Sequence, residues 1–392
     1  MKNNNEKIRI SFVSPSKLFK SGVLTFTLKI KEIFEERFEL LHMSFYHQMP
    51  LLLYPGRKRV RETKKVESSK KNYEIINWFD IFSWKKAVNI IKKTDILYVP
   101  WWTIATSLPI SYILKKSRKN GVKTIVEMHN VYDHNASSLM KITSKFILKQ
   151  VVNNSNYIIL HSQMDKEKLI KINKNAEKAE VIPLISFDFL IKSNYDKSNQ
   201  REKLNISKEK IVLLMFGLVR KYKGLDYALQ ALRILKDRNH NIFLLVVGEN
   251  WTDKNEILDI VNSLDLSDNF LWIDKFVPEE EISKYFAISD IALYPYTSAC
   301  QSGSMQIAFS SSLPVVATKV GGFVDIITHS ENGMLCNPKD SDGLANMIEE
   351  VINSKELQET VTTNALKNVE NKYSIQNMRE RYQSIIQYLI NN

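Results

Sequence analysis

The chain has 392 residues, 44% hydrophobic and 25% charged, which is enough for two globular domains, each with its own core. No apolar run reaches the roughly 18 residues of a membrane span, the start MKNNNEKIRISFVSP lacks the apolar stretch of a signal peptide, and two cysteines, Cys300 and Cys336, argue for a reducing cytoplasm and against a disulfide scaffold. The net charge of +12 is uneven: residues 1–200 hold 35 Lys and Arg against 18 Asp and Glu, and residues 201–392 hold 20 against 25. A basic first half suits an anionic membrane surface or acceptor, and no nucleic-acid motif accompanies it.

Residues 8–13 read as a first parallel strand. Gly22 then precedes the helical spacing of residues 23–34, so a small-residue loop falls where ligands enter an open α/β sheet. Residues 39–44 form a second strand. Residues 50–72 are irregular and carry Arg57, Lys58, Arg59, Arg61, Lys64, Lys65, Lys70 and Lys71. Such a run is either a solvated loop or an open segment facing a membrane or acceptor. Strands follow at 96–100 and 123–128, and the second ends on His129-Asn130-Val131-Tyr132-Asp133-His134. No carboxylate or Cys completes a zinc-like set there, so no metal is expected. Helices at 138–154 and 163–172 flank a strand at 157–161. A sixth strand is expected at 181–184, and the polar stretch 193–203, without apolar periodicity, reads as the linker.

The second series opens at residues 211–216, IVLLMF, the continuous apolar run of a strand buried on both faces. Gly217 breaks the run, Arg220, Lys221 and Lys223 follow, and Gly224 opens a helix at 225–235. A strand, a glycine turn, clustered cations and a helix N-terminus can cradle a diphosphate, with Arg adding bidentate donors. The same pattern also fits an ordinary strand-to-helix turn. Further strands are expected at 242–247, 270–273, 291–295, 314–318 and 334–336, with helices at 255–264, 279–286, 305–312, 344–353, 355–373 and 377–389. Two successive βα series joined by a polar linker predict two parallel-sheet domains facing one cleft.

At these residues the chain resembles the family-4 retaining glycosyltransferases. Phe216-Gly217-Leu218-Val219-Arg220-Lys221-Tyr222-Lys223-Gly224-Leu225 is similar to their phosphate-binding segment. Pro314-Val315-Val316-Ala317-Thr318 with Gly321-Gly322 is similar to a second signature, and His129-Asn130-Val131 with His134 to a histidine motif of their first domain. The resemblance implies a GT-B fold: an acceptor-side Rossmann-like domain at 1–195, a nucleotide-sugar domain at 196–376, and a terminal helix at 377–392 returning to the first domain.

It also implies a metal-independent hexose transfer, with retention, from a UDP or GDP sugar to a glycan or lipid-linked glycan. No cofactor is required. Arg220 and Lys223 would hold the diphosphate and stabilise the leaving phosphate, and His129 would donate a hydrogen bond to the transferred sugar. Phe276 and Val277 would lie against the base, Gly217 would shape the phosphate turn, and Gly22 would let the first loop approach the donor. The expected setting is the inner membrane face on the cytoplasmic side, with no oligomeric state implied.

One departure matters. Family members carry two Glu residues eight apart near the loop 296–309, and here TSACQSGSMQIAFSSSLP contains none. Counted back from Pro314, the second Glu falls at Ile307 or Gln306 and the first near Ala299. Gln301, Ser302, Gly303 and Ser304 could bind the donor instead. A catalytically weak scaffold subunit of the same fold is the alternative that this departure keeps open.

Overall fold

The computed structural model describes residues 7–16, 22–48, 72–132, 138–192 and 195–392. The chain packs as two units, Met1–Pro183 with Met378–Asn392, and Leu184–Asn377. Each is an α/β unit built on one parallel sheet.

The strands of the first unit are β1 (Arg9–Ser14), β2 (Glu39–His47), β3 (Asn72–Asn77), β4 (Ile96–Trp101), β5 (Lys123–Met128), β6 (Tyr157–Leu160) and β7 (Glu180–Val181). Helices α1 (Gly22–Glu35), α2 (Ile81–Ile91), α3 (Ser107–Lys119), α4 (Ser138–Asn154) and α5 (Gln163–Ile172) connect them. Every ladder is parallel, in the order β3-β2-β1-β4-β5-β6-β7. The direction of strand addition reverses between β1 and β4, the place where α/β sheets open a crevice at their carboxyl ends. β4 is buried along its whole length, because helices cover both faces of a central parallel strand.

β3 and α2 have no counterpart in the sequence expectations. β3 is an edge strand interrupted by Glu74, so it lacks the continuous apolar run of the central strands. α2 is started by Asp80, whose side chain accepts from the Phe82 amide, an N-cap hidden beside an apolar stretch. The strand expected at 181–184 is shorter, and only Glu180–Val181 pairs as a strand with β6.

The second unit begins at Leu184, earlier than the polar stretch suggested. Ser186 donates its amide to the Tyr373 carbonyl at 2.7 Å, and the Lys192 amide reaches Ser283 Oγ at 2.8 Å. The expected linker 193–203 also contains a helix, α6 (Lys197–Glu202), capped by Asp196. Its anchor is polar: Arg201, 4% exposed, donates to the Ile288 carbonyl and pairs with Asp290 at 2.6 Å. A helix seated by one buried guanidinium carries no apolar stripe for periodicity to detect.

Strands β8 (Ile211–Phe216), β9 (Ile242–Val247), β10 (Phe270–Ile273), β11 (Ile291–Tyr294), β12 (Val315–Thr318) and β13 (Met334–Cys336) form the second sheet. Its parallel order is β10-β9-β8-β11-β12-β13. Helices α7 (Leu225–Asp237), α8 (Lys254–Ser263), α9 (Glu279–Ala287), α10 (Gly303–Ser310), α11 (Phe323–Ile326), α12 (Ser341–Asn353) and α13 (Lys355–Asn371) surround it. Here the order reverses between β8 and β11. The last helix, α14 (Ile375–Asn391), packs with the first unit from Met378 onward. Arg379 pairs there with Glu36 at 2.7 Å, and Tyr382 enters the core. No described helix is long and apolar enough to cross a membrane.

Candidate functional site

The second sheet places two loops side by side at its reversal point, one after β8 and one after β11. Gly217 leaves β8 with φ +100°, and Gly224 enters α7 with φ +70°, both in the left-handed region that glycine tolerates. At Gly224 the demand is also steric, since a Cβ would lie 2.0 Å from the Pro295 carbonyl oxygen. Between them Lys221–Lys223 makes a single 3-10 turn. The loop is held from both sides. Val219 donates to the Glu249 carbonyl at 2.9 Å and accepts from Trp251 at 2.9 Å, while the Thr297 amide donates to the Tyr222 carbonyl at 2.7 Å.

This clamp presents two cations. The Arg220 guanidinium stacks over the Trp251 ring at 4.3 Å, a cation–π contact that leaves its N–H edge free for an anion. Lys223 is half-buried, with its ammonium 5.4 Å from the Tyr296 ring centre and 3.5 Å from the Phe216 carbonyl oxygen. Burial lowers its pKa to about 8, helped by the charge of Arg220 and opposed by Tyr222. A small pocket lined by Phe216, Gly217, Lys223, Leu293 and Tyr296 lies against it.

The loop after β11 adds hydroxyls. Ser302 and Ser304 lie 2.9 Å apart through their Oγ atoms, and both bond the Tyr296 hydroxyl. Gly303 starts α10, and the Gly322 amide donates to the Cys300 carbonyl, tying in the double-glycine turn after β12. Gly217, Arg220, Lys223, Ser302, Gly303 and Ser304 therefore come from loops flanking one reversal point. Gln301 lies in the same loop, half-buried. Phe276 and Val277 follow the edge strand β10, with Val277 buried.

A further polar side chain lies in this region. Gln306 on α10 has no exposed surface, and neither its Oε1 nor its Nε2 has a hydrogen-bond partner. Its neighbour Ile307, also buried, carries no polar group. A fully shielded amide with both ends unpaired is costly to keep buried. The sequence signal for it was the count from Pro314, which left Gln306 and Ile307 open.

In the first unit His129 follows β5 at the carboxyl edge, its amide bonded to the Trp101 carbonyl at 2.9 Å. Its ring stands edge-on to Phe26 at 5.1 Å and lies 4.9 Å from the His161 ring. Nε2 of His129 is shielded and has no hydrogen-bond partner. Burial, and then His161, hold the His129 pKa well below the ordinary range, so the ring is neutral and can donate from one nitrogen only.

Behind the two imidazoles sits Glu127, fully buried, accepting from the hydroxyls of Tyr98 and Tyr382. Burial raises its pKa to about 7 against the pull of those two bonds. Gly22 is the first residue of α1, where a Cβ would meet nothing within 4 Å. Sterics therefore do not require glycine at that position. His134 and the basic residues from Arg57 to Lys71 lie outside the described residues. Among the described residues no group of three His, Cys, Asp or Glu has a metal-holding arrangement.

Residues 196–368 match the family described as glycosyl transferases group 1. Most of the second unit is thus similar to that family. The Gly217–Gly224 loop, the loop after β11 and Gln306 all lie within the matched residues. The chain is 28% identical over 241 residues to the capsular polysaccharide biosynthesis glycosyltransferase CapM of Staphylococcus aureus, covering 58% of this chain and 60% of that one. It is 22% identical over 232 residues to the N-acetyl-alpha-D-glucosaminyl L-malate synthase of Bacillus anthracis, covering 58% of each. The chain thus spans less than two thirds of these curated relatives. The crystal structure of Anabaena HepE in complex with UDP matches 97% of this chain and 100% of its own with a TM-score of 0.79 at 18% identity. The fold is the α/β GT-B architecture expected from the sequence.

Proposed function

We propose that the protein is a retaining, metal-independent glycosyltransferase that moves a hexose from a nucleotide-diphosphate sugar to a glycan or lipid-linked glycan acceptor. The observation that carries this reading is the pair Arg220 and Lys223 on a glycine-bounded turn at the reversal point of the second sheet. In this reading the two cations bind the diphosphate and stabilise the charge that builds on the leaving phosphate. The α7 N-terminus reinforces them through its dipole. Ser302, Gly303, Ser304 and Gln301 bind the donor from the loop after β11. Phe276 and Val277 lie against the base. His129 donates a hydrogen bond to the transferred sugar.

Relatives support this choice of chemistry. CapM is described as acting in capsular polysaccharide biosynthesis, and HepE has been solved with UDP-glucose at 17% identity. A UDP donor and a cell-surface polysaccharide acceptor follow as the first candidates.

The acceptor side is read as peripheral on the inner membrane face. Beside the excess of cations in residues 1–200, Phe79 and Phe82 are 67% and 75% exposed at the start of α2, where Lys85 and Lys86 are also exposed. Aromatic rings flanked by lysines suit an anionic headgroup layer.

The test is donor turnover by the purified full chain with UDP-glucose, UDP-N-acetylglucosamine and GDP-mannose, followed by the anomeric configuration of the product. Turnover of one donor with retention supports the reading. Silence with all three points to the scaffold alternative, and inversion overturns the retaining mechanism.

A further inference from the structure

The His129 ring packs against two neighbouring rings. Its shielded Nε2 is unpaired, and its orientation comes from packing on Phe26 and His161. Phe26 also stands edge-on to His161 at 5.4 Å, so the three rings form one contact group. His161 itself is fixed. Its Nδ1 lies 2.8 Å from the Ile182 carbonyl oxygen, and because a carbonyl only accepts, Nδ1 carries the proton. That leaves Nε2 facing Glu127 Oε1 at 3.7 Å. Oε1 also accepts from the Tyr382 hydroxyl, and Oε2 accepts from Tyr98.

The chain of contacts therefore runs from the terminal helix α14 through Tyr382, Glu127 and His161 to His129. All four side chains belong to the first unit. Tyr98, Glu127, His161 and Tyr382 are each 2% exposed or less. A buried carboxylate with two hydroxyl donors is costly to leave half-satisfied, so each partner sets the position of the next. A core that needed only volume at residue 382 would be filled by Phe, and the hydroxyl on Glu127 is what packing alone does not explain.

We propose that Tyr382 on the terminal helix is a positioning residue that sets the His129 ring through Glu127 and His161. This rests on the reading of His129 as a contact of the transferred sugar. Tyr382 touches no reacting group. Its hydroxyl holds the Glu127 carboxyl in place, the carboxyl packs at 3.7 Å against the edge of the His161 ring, and the His161 ring limits the tilt of His129. Misplacement of a catalytic contact by a fraction of an ångström is enough to lower turnover without unfolding the protein.

The test compares Tyr382→Phe in two backgrounds, wild type and His129→Ala, using the nucleotide sugar that the full chain turns over. In the wild-type background Tyr382→Phe is expected to lower kcat roughly tenfold, leaving donor KM within about twofold. In the His129→Ala background the same change is expected to alter kcat by less than about twofold, because its route is already gone.

A second readout needs no donor. In the full chain labelled with 15N-histidine, Tyr382→Phe is expected to move the ring resonances of His161 and His129. Tyr388→Phe, on the exposed face of the same helix, is expected to leave them in place. Equal losses in both backgrounds, or unmoved resonances, overturn the proposal and leave Tyr382 as a packing residue. Wild-type turnover in His129→Ala removes the role of His129 beneath it, while the resonances still report whether Tyr382 sets that ring.

Discussion

The Arg220 guanidinium lies 4.3 Å above the Trp251 ring, and the two residues belong to loops that follow different strands. Their backbones are joined as well, since the Trp251 amide donates to Val219 at 2.9 Å. The stack removes rotamers from a long side chain before any anion arrives, a pre-organisation that lowers the entropy lost on binding. Trp251→Leu is expected to lower kcat/KM for the donor by roughly 3- to 30-fold, the range of a cation–π contact. Steady-state kinetics on the purified variant checks this, and an unchanged kcat/KM would separate Arg220 from its platform.

Lys223 gives a pH signature. With its pKa lowered to about 8 by burial, the free enzyme holds the ammonium below that value and loses it as pH rises through it. A diphosphate needs the cation, so kcat/KM is expected to fall above about pH 8, while kcat holds to higher pH because the bound anion favours the charged form. Lys223→Arg keeps its charge throughout this range and should carry the falling limb away. A limb that stays near 8 in that variant belongs to another group.

Gln306 separates stability from function. Replacing a buried, unpartnered amide by Leu removes an unsatisfied polar group at similar volume, which is expected to raise Tm by a few degrees. If the amide meets the donor, the same change should raise donor KM by roughly tenfold. A thermal melt paired with a donor titration reads both. A higher Tm with unchanged KM would return Gln306 to the core.

How much of this was legible in the sequence differs from residue to residue. The strand, turn and helix around Gly217 and Gly224 were readable because a buried parallel strand is a continuous apolar run and glycine marks its end. The β3 edge strand and α6 were not, since one is broken by Glu74 and the other is seated by the buried Arg201 rather than by an apolar face. The choice between Gln306 and Ile307 depends on how α10 is rotated, which counting from Pro314 does not give. Trp251 and Tyr382 lie far along the chain from Arg220 and Glu127, so only the folded topology brings each pair together.

The exposed rings of Phe79, just before α2, and Phe82, in its first turn, predict a membrane effect. The double variant Phe79→Ser/Phe82→Ser is expected to weaken binding to phosphatidylglycerol vesicles by roughly tenfold or more, since each ring contributes apolar burial in the headgroup layer. Both residues are exposed, so Tm should hold. Co-sedimentation at low and high salt checks it, with binding falling as salt screens the lysines. Binding equal to wild type would move the membrane contact elsewhere.

The most direct measurement is donor turnover by purified Arg220→Ala and Lys223→Ala, paired with a thermal melt of each. Neither side chain sits in the hydrophobic core, so Tm should stay within a few degrees of wild type. Turnover should fall on the order of 10²-fold or more, because the charge that stabilises the leaving phosphate is gone. Wild-type rates in either folded variant would contradict the assignment of the Gly217–Gly224 turn as the phosphate site.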